Sequence, residues 1–169
     1  MSENAPLPSP PIAHLPLAAE HRKLGARFVE HDGWRRVESY GDVTGELEAL
    51  RTSAGLVDRS AAGRLELLGR DRARLVNGLV TCDVKTLGPG QGRFGFFTGP
   101  QGKILASFVA LAHPDRLWLE LPPGRGKAIG DHIRRYVIAD DVEVLPLADL
   151  LPLTLVGPEA ESAVLAMSE

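Results

Sequence analysis

The residues able to do chemistry in this chain are scattered rather than clustered. Its five histidines, His14, His21, His31, His113 and His132, show no HxxxH or HxH spacing, so the pattern offers no protein metal-ligand set. None of them has an evident carboxylate orienter in the sequence, and neither Ser60 nor Ser107 sits in a GxSxG elbow. Cys82 is the single cysteine, which excludes an intramolecular disulfide and any CxxC site. It lies between apolar neighbours in LVTCDV and reads as a buried, inert thiol. GQGRFG, Gly90 to Gly95, matches GxGxxG letter for letter, but a nucleotide cradle needs a strand before it and a helix after it. Here a Gly/Pro loop precedes the motif and the β-rich RFGFFT follows, so the glycines read as a loop leading into a strand.

The bulk numbers restrict the partners. With 169 residues, 44% hydrophobic and 24% charged, the chain can form one domain with a real core, or one domain and part of another. A formal net charge of −3, with no block of like charges, argues against a nucleic-acid backbone as partner. Arg64, Arg70, Arg72 and Arg74 are interrupted by Glu66 and Asp71 and read as a solvated face. No apolar run reaches the ~18 residues of a membrane span. The first residues lack the basic and apolar regions of a secretory signal. No membrane partner and a cytoplasmic location are therefore expected.

The elements that must position any site follow from periodicity. Residues 1–16 hold five prolines between positions 5 and 16 and are expected to be extended or disordered. DVTGELEALRTSAG reads as a helix, with Asp42 or Thr44 at its start and Gly55 at its end. GRLELLG alternates as a strand, and RDRARLVNGL returns to helical spacing. GFFTGPQGKILASF reads as strand, tight turn, strand, pairing roughly 92–98 with 103–112. DRLWLELP is another strand, with Leu117, Leu119 and Leu121 on one face and Trp118 on the other. GKAIGDHIRRYVIA is a helix with Ile129, Ile133, Tyr136 and Val137 in one stripe, and VEVLPL closes the unit. That order predicts an α+β sandwich of the split-βαβ kind with one extra strand. Beyond it, LLPLTLVG reads as a strand, and PEAESAVLAM as a helix with Gly157 at the cap and Pro158 at its first position.

Four stretches, in order, carry a resemblance: LGARFVEHDGW with SYGD, LRTSAGLVDRS, LLGRDRARLVNGLVTCDV, and the hairpin with GPQGKIL. Together they resemble the amino-terminal part of the aminomethyltransferase family, the T-protein of glycine cleavage and its folate-binding relatives. The resemblance implies a ring of subdomains around tetrahydrofolate. Residues 56–149 would be a ferredoxin-like subdomain, inserted in a partial folate-lining subdomain made of 17–55 and 150–169. It also implies that much of the second subdomain and the terminal barrel lie outside these residues.

The T-protein moves a one-carbon unit from an aminomethyl-lipoyl carrier to tetrahydrofolate and releases ammonia. In that branch the second hairpin strand reads roughly Gly-Gly-Ile-Leu-Asp-Asp, and a carboxylate there can orient or accept a proton. This chain reads Gly102, Lys103, Ile104, Leu105, Ala106, Ser107, so both carboxylates are replaced. The Ser-His-Met stretch of that branch is replaced too, with Ser60 followed by Ala61 and Ala62. These departures resemble the folate-dependent iron–sulfur-assembly branch, the YgfZ-like proteins, although its Lys-Gly-Cys-Tyr-x-Gly-Gln-Glu motif is not among these residues.

The resemblance places Phe94, Ser107, Val109 and Ala62 on folate, with Leu111 on the same strand face, and no catalytic residue. Phe94 stands where the family carries a ligand-facing tyrosine. Three functions follow as expectations: a tetrahydrofolate-binding protein that assists iron–sulfur proteins, a fragment or subunit of a folate-dependent transferase, or an interaction module without ligand. Folate binding is expected to be weak in the isolated chain. Association with itself or with a second polypeptide is expected from the unfinished sheet around LLPLTLV.

Overall fold

The computed structural model describes residues 12–147 and 150–167. In chain order the elements are β1 (Ala13–His14), α1 (Ala18–Lys23), β2 (Arg27–His31), β3 (Trp34–Ser39), α2 (Val43–Thr52) and β4 (Gly55–Asp58). There follow β5 (Gly63–Leu68), α3 (Arg72–Asn77), β6 (Gly92–Thr98), β7 (Ile104–Ala112), β8 (Leu117–Leu121), α4 (Gly126–Arg134) and β9 (Glu143–Pro146). Last come β10 (Leu153–Val156) and α5 (Ala160–Ala166). The chain divides into two compact units, one of Met1–Ser60 with Leu151–Glu169 and the other of Ala61–Leu150. The class is α+β.

The second unit is a five-stranded sheet in the order β6-β7-β8-β5-β9, antiparallel at every pairing. Strict alternation along each strand sends one set of side chains inward. Leu65, Leu67, Phe97, Ala106, Phe108, Ala110, Leu117, Leu119 and Leu121 meet Val76 of α3 and Ile129 and Ile133 of α4 in a single core. Leu67, Val76, Phe97, Ala110 and Ile133 have no exposure at all. The expected stripe of α4 stops short, because the helix ends at Arg134 and Tyr136 is left 38% exposed. Gly95 permits close packing inside this core: a Cβ on it would stand 2.5 Å from Cys82 Sγ and 3.1 Å from the Phe108 ring. Cys82 packs against this core, and its burial pushes the thiol above its ordinary range.

The first unit holds a three-stranded sheet, β1-β3-β2, and a two-stranded one, β10-β4. The hairpin of β2 and β3 turns on Asp32 and Gly33, whose φ values of 51° and 74° are the left-handed pair a two-residue hairpin needs. Asp42 caps α2 by accepting from the Gly45 amide at 3.0 Å. That helix ends at Thr52, and Gly55 opens β4 instead of closing the helix.

Three further boundaries differ from the sequence expectation. Of the stretch 1–16, residues 1–11 lie outside those described, whereas Ala13 and His14 pair with Trp34 and Arg35 and Leu15 is buried. The chain is thus pinned before Leu17, because β3 offers a parallel edge. β4 pairs with β10, Leu56 facing Leu155, so it belongs to the first unit and the division falls after Ser60. Helix α5 begins at Ala160 with Glu159 as its cap. Gly157 lies at φ 128°, outside the backbone range that opens a helix, so the first turn starts later than Pro158.

Candidate functional site

In the second unit, the residues of β6 and β7 that turn away from the core form a continuous strip. Across the ladder Phe94 faces Val109, Phe96 faces Ser107 and Gly92 faces Leu111. Phe94 is 59% and Val109 46% exposed, and Ser107 is half-buried in the next row of the same face. The Phe94 ring meets Phe96 edge-on, with centroids 5.2 Å apart and planes at 79°, a favoured aromatic geometry that holds the ring in place. Phe94, Ser107, Val109 and Leu111 are therefore brought together. Ala62 is not: it precedes β5, and β8 and β7 stand between that strand and β6.

Further along the same face the character changes to charged. Val109 is followed across the sheet by Glu120, and Glu120 by Arg64. Leu111 is followed by Trp118 and then by Glu66. Glu66 accepts from Trp118 Nε1 at 3.0 Å and from Arg116 Nη1 at 2.9 Å. The Trp118 hydrogen bond, with help from Arg116, holds the Glu66 carboxyl below its ordinary range. The open face thus offers an aromatic and aliphatic half with one hydroxyl, bordered by an ionic half in which Glu66 is held by Trp118 and Arg116.

The first unit contains a cluster that no spacing in the sequence announces. His21 Nε2 lies 2.8 Å from Asp58 Oδ2 and His21 Nδ1 lies 2.8 Å from Tyr40 Oη. A carboxylate can only accept, so in the neutral ring Nε2 donates to Asp58 and Nδ1 accepts from the Tyr40 hydroxyl. This corrects the expectation that no histidine has a carboxylate orienter: 37 residues separate the two in the chain, and only the fold joins them. Asp58 also accepts from the Ser60 amide at 2.7 Å. Burial alone would raise the Asp58 carboxyl, but the hydrogen bonds from His21 and Ser60 outweigh it and leave the group below its ordinary range. Burial, together with the charge of Asp58, pushes the Tyr40 hydroxyl up. The cluster forms the floor of a cavity of about 520 Å³, lined also by Leu17, Leu24, Leu56 and Leu153.

Among the described residues, no three His, Cys, Asp or Glu side chains are grouped to hold a metal ion. No helix among them is long and apolar enough to cross a membrane.

This α+β architecture, with its two-part chain path, is that of a known domain: residues 17–169 match the GCVT N-terminal domain, and the chain belongs to that family. It is similar to the aminomethyltransferase of Rubrobacter xylanophilus, 34% identical over 151 residues, which cover 89% of this chain and 41% of that protein. It is similar also to the aminomethyltransferase of Bordetella parapertussis, 32% identical over 94% of this chain and 44% of the other. The crystal structure of the glycine cleavage system aminomethyltransferase T from Bartonella henselae superposes with a TM-score of 0.85 at 27% identity, over 93% of this chain and 44% of that one. The chain thus spans less than half the length of these relatives. All three are aminomethyltransferases, which supports the T-protein side of the family and gives no support to the iron–sulfur role expected from Gly102 to Ser107.

The strip on β6 and β7 has the chemistry of one wall of a site for a heteroaromatic ligand. Phe94, Val109 and Leu111 supply a flat apolar surface with one aromatic ring, and Ser107 supplies a hydroxyl that both donates and accepts.

Proposed function

We propose that this chain is the folate-binding half of an aminomethyltransferase-type protein in which the carboxylate of the transfer step has been replaced by Ser107. The observation that carries the reading is the exposed Phe94–Val109–Leu111 strip, with Ser107 half-buried within it, in a chain of this family. Ala61–Leu150 is read as the ferredoxin-like subdomain, because α3 and α4 pack on one side of its antiparallel sheet and leave the other side for ligand. Ala62 lies beyond the strip and is read as a contact from a different part of the pocket.

Bound tetrahydrofolate would supply the nitrogen that accepts the one-carbon unit. Phe94 would hold the heteroaromatic ring by a stacking or edge contact worth ~0.5–1.5 kcal/mol. Val109 and Leu111 would exclude water from it. Ser107 would donate or accept one hydrogen bond but, without a base beside it, would not take up the proton that a carboxylate could. One wall leaves the opposite polar edges in water, so affinity is weak for these residues alone and rises when the opposite wall is supplied.

Calorimetric titration with 5-formyltetrahydrofolate tests this. Weak binding by the chain, reduced about 2- to 10-fold by Phe94→Ala, is expected. Tight binding untouched by Phe94→Ala would place the ligand on another surface. An assay of tetrahydrofolate-dependent ammonia release from an aminomethyl-lipoyl carrier separates the alternative, a transferase fragment with its chemistry intact. Turnover by this chain at rates typical of enzymes would establish that alternative.

A further inference from the structure

The open face of the second unit carries two carboxylates, and their places are not equivalent. Glu66 stands in the row of Leu111 and Trp118, where Trp118 Nε1 and Arg116 Nη1 donate to it from within the sheet. Glu120 stands in the row of the strip itself: Phe94 faces Val109, Val109 faces Glu120, and Glu120 faces Arg64. Paired positions on one face hold their Cβ atoms ~5 Å apart. A glutamate side chain half-buried at position 120 therefore reaches the rim of a flat ring lying on Phe94 and Val109.

The far side of Glu120 is fixed in place. Arg64 Nη1 donates to the Leu150 carbonyl, which anchors the guanidinium across the row from the strip. Burial holds the Arg64 guanidinium below its ordinary pKa, and the charge of Glu120 works against that shift. Glu120 thus lies between an apolar neighbour on one side and a tethered cation on the other. A carboxylate only accepts, and it has about four lone-pair positions, so a cation on one side leaves acceptor capacity towards Val109. Two parallel N–H donors fill that capacity best. A ring carbonyl at the same rim would meet lone pairs with lone pairs and be rejected.

We infer that Glu120 selects and orients the ligand of the strip, taking a flat heteroaromatic ring by an edge that bears a ring N–H beside an exocyclic amino group. The ring is then turned so that this edge points across the strands towards β8. The inference rests on reading the strip as a heteroaromatic site and adds the chemistry of the edge that the site recognises. The ring of 5-formyltetrahydrofolate carries such an edge.

The test is amide chemical-shift titration of the 169-residue chain with pterin and with lumazine, the same bicycle with a carbonyl in place of the amino group, at a pH where both are uncharged. Both should shift the amides of Phe94, Val109 and Leu111, with pterin binding about tenfold more tightly, as befits a hydrogen bond to a charged acceptor. In Glu120→Gln the preference should shrink to about threefold or less, because a Gln amide donates to a carbonyl as readily as it accepts from an amino group. Glu66→Gln should keep the wild-type preference. An unchanged preference in Glu120→Gln overturns the inference. Equal loss in Glu66→Gln overturns it too, by assigning the effect to the general potential of the face. The wild type carries a test that needs no variant: equal affinity for the two rings, or a pterin titration that moves Phe94 and Val109 but leaves Glu120 still, overturns the inference. The two readings fail separately. Shifts at the strip without a preference that depends on Glu120 remove this inference alone, whereas two rings that leave the strip unshifted remove the heteroaromatic site and this inference with it.

Discussion

Ala106 and Ser107 are chain neighbours that point to opposite sides of β7. Ala106 faces Phe97 inside the core at 7% exposure, whereas Ser107 faces Phe96 on the open face. The two positions where the T-protein branch carries aspartates are therefore unequal in this fold. Only position 107 can present a group to a ligand on the strip. Ser107→Asp should shift stability by less than about 1 kcal/mol, as a half-exposed substitution. Ala106→Asp should cost several kcal/mol or prevent folding, because it buries an unpaired carboxylate. Urea titration followed by Trp118 fluorescence distinguishes the two, and equal costs would mean that β7 has another register.

The contact of Gly95 with Cys82 predicts a second asymmetry. A methyl group at position 95 would meet Sγ at 2.5 Å, an overlap that packed cores relieve only by moving side chains or backbone. Gly95→Ala should destabilise the second unit by about 1–3 kcal/mol. Cys82→Ala, combined with it, should recover part of that loss, since the sulfur is the nearest atom. Denaturation midpoints of the single and double variants measure the coupling, and strictly additive losses would show that Phe108, not Cys82, sets the limit.

His132 gives the second unit a pH dependence. The ring is buried on α4, set edge-on to Phe97 at 6.5 Å, and its Nε2 has no hydrogen-bond partner. Burial, assisted by the charge of Arg135, holds its pKa below the ordinary 6.5. The unfolded chain then binds this proton at a pH where the folded chain does not, so stability rises with pH through that window and falls on acidification below about 6.5. Urea midpoints at about pH 5 and pH 7 should differ more in the wild type than in His132→Leu. An identical pH difference in both would assign the effect to other groups.

For the first unit the corresponding group is Asp58, with the same sign at a lower pH. Its depressed pKa means that its contribution is present above the ordinary carboxylate value of 3.8 and is lost as pH falls through and below it. Asp58→Ala should cost about 2–3 kcal/mol, as the loss of hydrogen bonds to a buried charged acceptor. Tyr40→Phe should cost about 1 kcal/mol, the net worth of one hydrogen bond. Trp34 fluorescence reports this unit, and an Asp58→Ala loss no larger than that of Tyr40→Phe would show that His21 is not held by the carboxylate.

What the sequence disclosed, and what it withheld, follows the range of the interactions. The β6–β7 hairpin was legible because Gly99 to Gly102 supply turn chemistry between alternating runs, and the same alternation sorted Ser107, Val109 and Leu111 from the core. The β2–β3 hairpin also had its signal, the Asp32-Gly33 turn, and went unread because the flanking residues are mostly charged and face water. Pro-rich composition obscured β1, where two residues borrow an edge from β3. The His21–Asp58–Tyr40 cluster had no local signal at all, being assembled from α1, the end of β3 and β4. Ala62 was assigned by motif position alone, and motif position carries no information about which strands intervene.

The second unit is continuous in the chain, whereas the first is built from two pieces. Its ends are already stitched together, since the Leu147 amide donates to the Arg64 carbonyl at 3.1 Å. Folding of Ala61–Leu150 therefore turns the long loop between β4 and β10 into a short one. Loop closure costs about 0.6 kcal/mol per doubling of length, so just under three doublings saved amount to ~1.5–2 kcal/mol in favour of Leu56 meeting Leu155. The order of events is then built into the topology: the inserted unit can complete as it leaves the ribosome, and the split unit closes behind it. In stopped-flow refolding, Trp118 should reach its native signal before Trp34, and a variant that slows the inserted unit, such as Gly95→Ala, should delay both.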